Sequence, residues 1–308
     1  MNPFEKARTF IYRNARPIDL ARWQYHFEGG PREAVLHALA AYQNEDGGFG
    51  HALEADSFNP NSCPIQTLTA VALLREIGLT DPAHPIIQGM LRYLDSGADF
   101  DEAHRQWLNV VPSNNDYPCA VWWKYGDKGS AFRYNPTAGL AGFAIRCADP
   151  GSALHQKACE IVREAVAWLF AQELSDDQHI AGCFVGLYED CAAAGSAPFD
   201  LDKLRECLAG QIRCCLDGVA EKWGKEYAAM PSDLIPTKAS AFYAENAEVV
   251  HAQCDYILRS QLPDGSFIVP WQWWNDHKEY ELAVNWWKSD IIIKNMLHLK
   301  SFAPDALA

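Results

Sequence analysis

The sequence predicts an all-α protein: a single domain over residues 1–308 built as an (α/α)6 toroid of about six helix pairs. Three observations predict it. Apolar residues recur at helical spacing along most of the chain. Alternation with the period of a strand is nearly absent. A turn motif, Gln43-Asn44-Glu45-Asp46-Gly47-Gly48-Phe49, returns 218 positions later as Gln261-Leu262-Pro263-Asp264-Gly265-Ser266-Phe267, with Gln, Asp, Gly and Phe at the same offsets. Such self-similarity marks a repeated supersecondary unit. Each copy follows an apolar-periodic segment, which places the Gln on a helix's last turn, lets the Gly make a left-handed stop and sends the Phe into the next interface.

In chain order the expected pairs are 18–28 with 31–43, 64–78 with 85–96, 137–147 with 152–173, 178–194 with 199–217, 238–243 with 246–261, and 279–287 with 289–300. Pro31 fits a helix start ahead of Val35, Leu39 and Tyr42. Leu68 to Leu74 is apolar except for Thr69, whereas Ile86, Ile87, Met90, Leu91 and Leu94 form one amphipathic face. Ala138 to Ala144 is small and apolar throughout, and its partner repeats Ile161, Val162, Ala165, Val166 and Leu169 on one side. Ala181 to Leu187 again lacks a polar face, and Asp200 fits an N-cap before Leu201, Leu204, Leu208 and Ile212. Sheathed helices thus alternate with amphipathic ones, as an inner and an outer ring would require. Two copies of one turn near opposite ends of the chain favour a closed ring over an open solenoid. A ring leaves a concave mouth where loops converge.

Met1 to Arg16 mixes Glu5, Lys6, Arg8, Arg13 and Arg16 with single apolar residues, and no later segment has the apolar length of a membrane span, so the chain reads as cytoplasmic. The formal net charge of -14 repels phosphate backbones and excludes nucleic acid as a partner. The ten cysteines lie scattered through helical segments with no CxxC pair, which implies reduced core thiols and no cysteine metal site. There is no GxGxxG, GxxxxGK[ST], GxSxG, HExxH or EF-hand loop, so no cofactor is expected.

The two QxxDGxF copies resemble the QW-type motif of the terpenoid cyclase and protein prenyltransferase superfamily of (α/α) toroids, and Gln43 to Gly50, QNEDGGFG, is most similar to the prenyltransferase β-subunit version. The tail Trp271-Gln272-Trp273-Trp274 with Trp286-Trp287 also resembles a group of small bacterial members of that superfamily. The resemblance implies the toroid and a central aromatic cavity. The motif stands in two of the six expected repeats. The family's zinc set, an Asp and a Cys two residues on, is not matched, since the corresponding stretch offers Glu54, Asp56 and Cys63; its DxDD acid motif has Asp99-Phe100-Asp101-Glu102 as nearest match.

His51, Glu54 and Asp56 are the candidate catalytic residues, because they follow the first repeat turn, where loops face the mouth of a toroid. A carboxyl in an apolar mouth, beside another carboxylate, can hold a proton for general acid work. Candidate substrate-binding residues are Trp122, Trp123, Tyr125, Trp271, Trp273 and Trp274 for their π-faces, with Asp116 and Glu189 as further carboxylates. Three readings follow. One is an enzyme performing acid-initiated chemistry on an isoprenoid or similarly apolar small molecule. Another is a carbohydrate-active (α/α)6 enzyme with paired carboxylates. The last is a non-catalytic binding scaffold.

Overall fold

The computed structural model describes residues 2–126 and 132–307. Among them the chain is all-α, with twelve α-helices and one two-stranded hairpin. The helices are α1 (Pro3–Asn14), α2 (Pro17–Phe27), α3 (Arg32–Ala40), α4 (Pro64–Glu76), α5 (Pro85–Asp95), α6 (Thr137–Cys147), α7 (Ala153–Phe170), α8 (Gln178–Ala194), α9 (Leu201–Leu216), α10 (Pro231–Leu234), α11 (Ala247–Ser260) and α12 (Glu279–Phe302). The hairpin pairs β1 (Phe100–Asp101) with β2 (Gln106–Trp107). Five helices begin on proline, whose fixed φ suits the first helical position and whose missing N–H costs nothing there. No described helix is long and apolar enough to cross a membrane.

Three helix assignments from the sequence are corrected. Residues 3–14 form a helix, because Ala7, Phe10 and Ile11 share a buried face and Asn2 Oδ1 accepts the Glu5 N–H at 2.8 Å. The stretch 238–243 is a run of turns: Thr237 and Ser240 hydroxyls accept the N–H groups of Ala239 and Phe242, in competition with helical bonds. The expected pair 279–287 and 289–300 is one 24-residue helix, α12, since neither Gly nor Pro interrupts it.

The chain packs as two compact units, Met1–Leu39 with Ile212–Gln272 and Lys278–Ala308, and Ala40–Gln211 with Trp273–His277. In the first, α12 packs against α1, α2 and α11. Its interior carries charge: Asp19 bonds Arg16 at 2.7 Å and Arg22 at 3.2 Å, and Arg22 reaches Asp290 at 2.7 Å. Burial alone would raise the Asp290 carboxyl, but Lys294 and Arg22 outweigh it and hold it far below the usual range. Cations and anions alternate through this cluster, which is the condition for burying them at all.

His298, also in this unit, is 1% exposed; its Nε2–H donates to the Val250 carbonyl at 2.9 Å. Burial pushes its pKa down to about 4. Since the folded value lies below the unfolded one, the neutral ring's contribution is complete above about pH 6.5 and is lost as pH falls toward 4. Urea unfolding across that window is expected to show wild type losing about 3 kcal/mol more than His298→Gln. Asp290 acts below this window, and the burial-raised carboxyls of Asp99 and Glu189 act with opposite sign, so the difference between the two proteins isolates the histidine.

In the second unit, α6 and α8 form the core. Every residue of α6 except Arg146 is buried. Gly142 lets the α8 backbone come close: a Cβ there would stand 2.9 Å from the Leu187 Cα. The small-residue runs seen in the sequence are therefore the means of close helix approach.

The repeated turns have one geometry. Gln43 Nε2 donates to the Gly47 carbonyl at 2.9 Å and to the Ile86 carbonyl in α5 at 3.0 Å. Gln261 Nε2 donates to Gly265 at 3.1 Å and to Pro3 in α1 at 2.8 Å. Gly47, at φ +95°, lies against Gly89, and Gly265, at φ +92°, lies against Lys6. In both cases the glycine meets the carbonyl three residues beyond the one held by the glutamine. Each turn is thus a dock for the first turn of a proline-started helix, and α1 stands to the second turn as α5 stands to the first. Phe49 and Phe267 are both buried. The glutamines lie just past α3 and α11 instead of on their last turns, which frees the side chains to reach across.

Candidate functional site

The loop after the first repeat turn is tightly specified. A Cβ on Gly50 would stand 2.4 Å from the carbonyls of Pro60 and Asn61, so the chain doubles back there on itself. His51 and Ala52 both hold φ near 60°, a conformation that persists in non-glycine residues only when the surroundings impose it. The buried Gln66 imposes it in part: its Oε1 accepts the Leu53 N–H at 2.8 Å and its Nε2 donates to the Asn59 carbonyl at 3.2 Å. The three candidate catalytic residues consequently diverge. His51 is exposed and its ring meets Asn44 Oδ1 at 2.9 Å. Glu54 is half-buried, and Asp56 is 3% exposed with Oδ1 accepting the Trp273 indole N–H at 2.5 Å. A buried carboxylate requires such a donor.

Segments distant in sequence meet around this pair. The Phe58 N–H donates to the Pro118 carbonyl at 3.0 Å and the Ala120 N–H to the Asp56 carbonyl at 2.9 Å. The Val121 N–H reaches the Trp273 carbonyl at 3.4 Å, while Asn275 Nδ2 donates to the Cys119 carbonyl at 2.8 Å. Phe58 lies edge-on to Trp273, with 5.9 Å between ring centroids. The asparagines bind the rim: Asn59 Nδ2 donates to Asn114 Oδ1 at 2.8 Å, Asn114 Nδ2 to the Trp123 carbonyl at 2.9 Å, and Asn115 makes two 2.9 Å bonds with the Tyr125 backbone.

The outer surface of this construction is aromatic. Trp122 is 38% exposed, Tyr125 39% and Trp274 74%; Trp274 also holds φ at 58°, unusual for so bulky a residue. Two polar atoms beside them, Ser57 Oγ and Trp123 Nε1, are buried with no hydrogen-bond partner. Unpaired buried donors are uncommon and call for an explanation.

The remaining candidates each have their own surroundings. Asp116 is exposed, at the end of the short 3-10 turn Pro112–Asp116. Trp271 belongs to the first unit, edge-on to Trp287 at 5.1 Å and to Tyr227 at 5.6 Å. Glu189 is half-buried on α8, and burial raises its carboxyl pKa. The acids of Asp99-Phe100-Asp101-Glu102 separate: Asp99 accepts from Tyr93 Oη at 2.9 Å, Asp101 accepts the His104 N–H at 2.8 Å, and Glu102 lies 3.7 Å from Lys157. Asn135 Oδ1, just before α6, accepts from Cys183 Sγ at 3.3 Å. Among the described residues no group of three or more His, Cys, Asp or Glu side chains could hold a metal ion.

Sequence reasoning missed Ser57, Phe58, Asn114, Val121 and Asn275. Their part in the site comes from pairings across as many as 217 positions, as between Asp56 and Trp273, and no local pattern signals them. Comparison with known proteins returns no match to this chain among family models, curated proteins or solved structures.

Proposed function

We propose that the face built from residues 51–62, 113–125 and 273–277 binds a carbohydrate-class small molecule. The observation that carries this reading is the convergence of exposed indoles, Trp122 and Trp274, on adjoining backbone segments around the buried Asp56–Trp273 pair. Sugar rings offer apolar C–H faces that stack on indole, and hydroxyl rims that take up polar groups such as Asn115, Asn275 and His277. A left-handed Trp274 that stays largely exposed holds its ring out at a conformational cost, as a stacking platform would.

Titration of the tryptophan fluorescence with malto-, cello- and chito-oligosaccharides tests the proposal. At least one series should saturate, and Trp274→Ala should weaken it roughly tenfold or more while leaving the unfolding free energy within about 0.5 kcal/mol of wild type. A flat response to all three series would overturn it. Glu54→Gln asks whether the bound glycan is also cleaved: lost turnover with retained binding would make Glu54 an acid or base.

A second reading, acid-initiated chemistry on an apolar isoprenoid substrate, is favoured by Glu189, whose carboxyl burial pushes toward the protonated form. Product formation from prenyl diphosphates or squalene-like polyenes, lost in Glu189→Gln, would establish it; unchanged substrates would remove it.

A further inference from the structure

The aromatic face carries an excess of negative charge. Its three segments hold Glu54, Asp116 and Asp276 at or near the surface against one lysine, Lys124, in a chain of formal net charge -14. The two exposed acids accompany the exposed rings. Asp276 follows Trp274 by two residues, and the bond from Asn275 Nδ2 to the Cys119 carbonyl at 2.8 Å anchors the loop that bears both. Asp116 adjoins Asn115, whose side chain makes two 2.9 Å bonds with the Tyr125 backbone, so this acid and the Tyr125 ring belong to one tied turn. Glu54 is half-buried and lies two residues before Asp56, whose carbonyl accepts the Ala120 N–H at 2.9 Å. The rings add to the same field, because the face of a π-system is its negative side.

We infer, resting on the carbohydrate reading above, that the ligand of this face is a cationic glycan, a chain of protonated amino sugars of the glucosamine type. An amino sugar keeps the apolar C–H face that stacks on Trp122 and Trp274, and its ammonium is met by carboxylates and ring faces. A uronate chain would bring like charge against Glu54, Asp116 and Asp276, and a neutral glycan gains the stacking alone. Carboxylates open to solvent are screened, and each contributes a factor of a few at most. The three together therefore amount to about a tenfold preference at low salt.

The test follows the tryptophan fluorescence of the intact protein at about pH 6, where the sugar amine is protonated, during titration with equal-length oligomers of glucosamine, N-acetylglucosamine and galacturonic acid. The glucosamine oligomer should bind about tenfold tighter than the N-acetylated one in about 20 mM salt and about twofold tighter in about 500 mM, while the galacturonate oligomer should not saturate. Replacing Asp116 and Asp276 together by Asn should reduce the low-salt preference to about threefold, and a preference left at tenfold would overturn the role of these acids. An N-acetylated oligomer that binds as tightly as the amine at low salt would overturn the cationic ligand and leave the carbohydrate reading standing, whereas a flat response to every oligosaccharide would remove both. Oligolysine of matching charge has no sugar ring to stack, so a response equal to that of the glucosamine oligomer would reduce the effect to general attraction of polycations and overturn the inference. These comparisons use wild-type protein and decide the matter even if the double variant does not fold.

Discussion

Gly47→Ala is expected to destabilise the protein by about 4 kcal/mol. Two costs combine. Gly47 holds φ at +95°, where an L side chain is strained, and the added Cβ would stand 1.9 Å from the Gly89 carbonyl oxygen and 2.4 Å from its carbon. Those atoms belong to the backbone of α5 and cannot swing aside, so α5 must lift from the turn and break the Gln43–Ile86 bond with it. Gly265→Ala should behave alike, since its Cβ would come 2.2 Å from the Lys6 carbonyl oxygen in α1. Gly78 is the control: at φ +67° with no atom within 4 Å of a Cβ, its replacement should cost only the conformational term, about 1 kcal/mol. Urea unfolding followed by circular dichroism measures all three. If Gly47→Ala costs no more than Gly78→Ala, the repeated turn is not a dock.

The second large effect is expected at Trp273. Changing it to Phe preserves most of the ring's bulk against Phe58 but removes the N–H that Asp56 accepts, leaving a carboxylate 3% exposed without that donor. The cost should be about 3 kcal/mol, in the range for breaking a buried charged interaction from one side. In an Asp56→Asn background the same substitution should cost about 1.5 kcal/mol less, because a neutral amide loses less than a carboxylate when that one donor is removed. A double-mutant cycle on unfolding free energies tests this, and additive costs would mean the bond contributes nothing specific. Ligand binding should fall together with stability in Trp273→Phe. In Trp274→Ala binding alone should fall, since that ring is 74% exposed. This contrast separates the pair that builds the face from the ring that meets the ligand.

The helical class and most helix positions were legible because they rest on local patterns. Leu68 to Leu74 and Ala138 to Ala144 lack a polar face and are largely sheathed; Ile86, Ile87, Met90, Leu91 and Leu94 share a stripe and are buried. Errors arose where the local signal was short or mixed. The buried face of α1 consists of Ala7, Phe10 and Ile11 among charges, and α12 passes from partly exposed to buried surroundings without any break in its backbone. The repeated turn was visible as a motif, but its partner was not: Gln43 reaches residue 86 and Gln261 reaches residue 3, and nothing near either glutamine names those carbonyls.

The candidate site divides the same way. Sequence alone singled out the loop carrying Glu54 and Asp56 and the tryptophan clusters, because carboxylates after a repeat turn and adjacent indoles are local features. Only the tertiary structure could separate Trp273, 1% exposed and bonded to Asp56, from its neighbour Trp274, which faces solvent, or turn His51 outward and Asp56 inward within one loop. Helical periodicity is set by contacts three and four residues apart, so the chain's own order encodes it. A buried carboxylate's donor, a glycine's close neighbour and the exposure of one indole over the next depend on which distant segments arrive, and that is settled by packing.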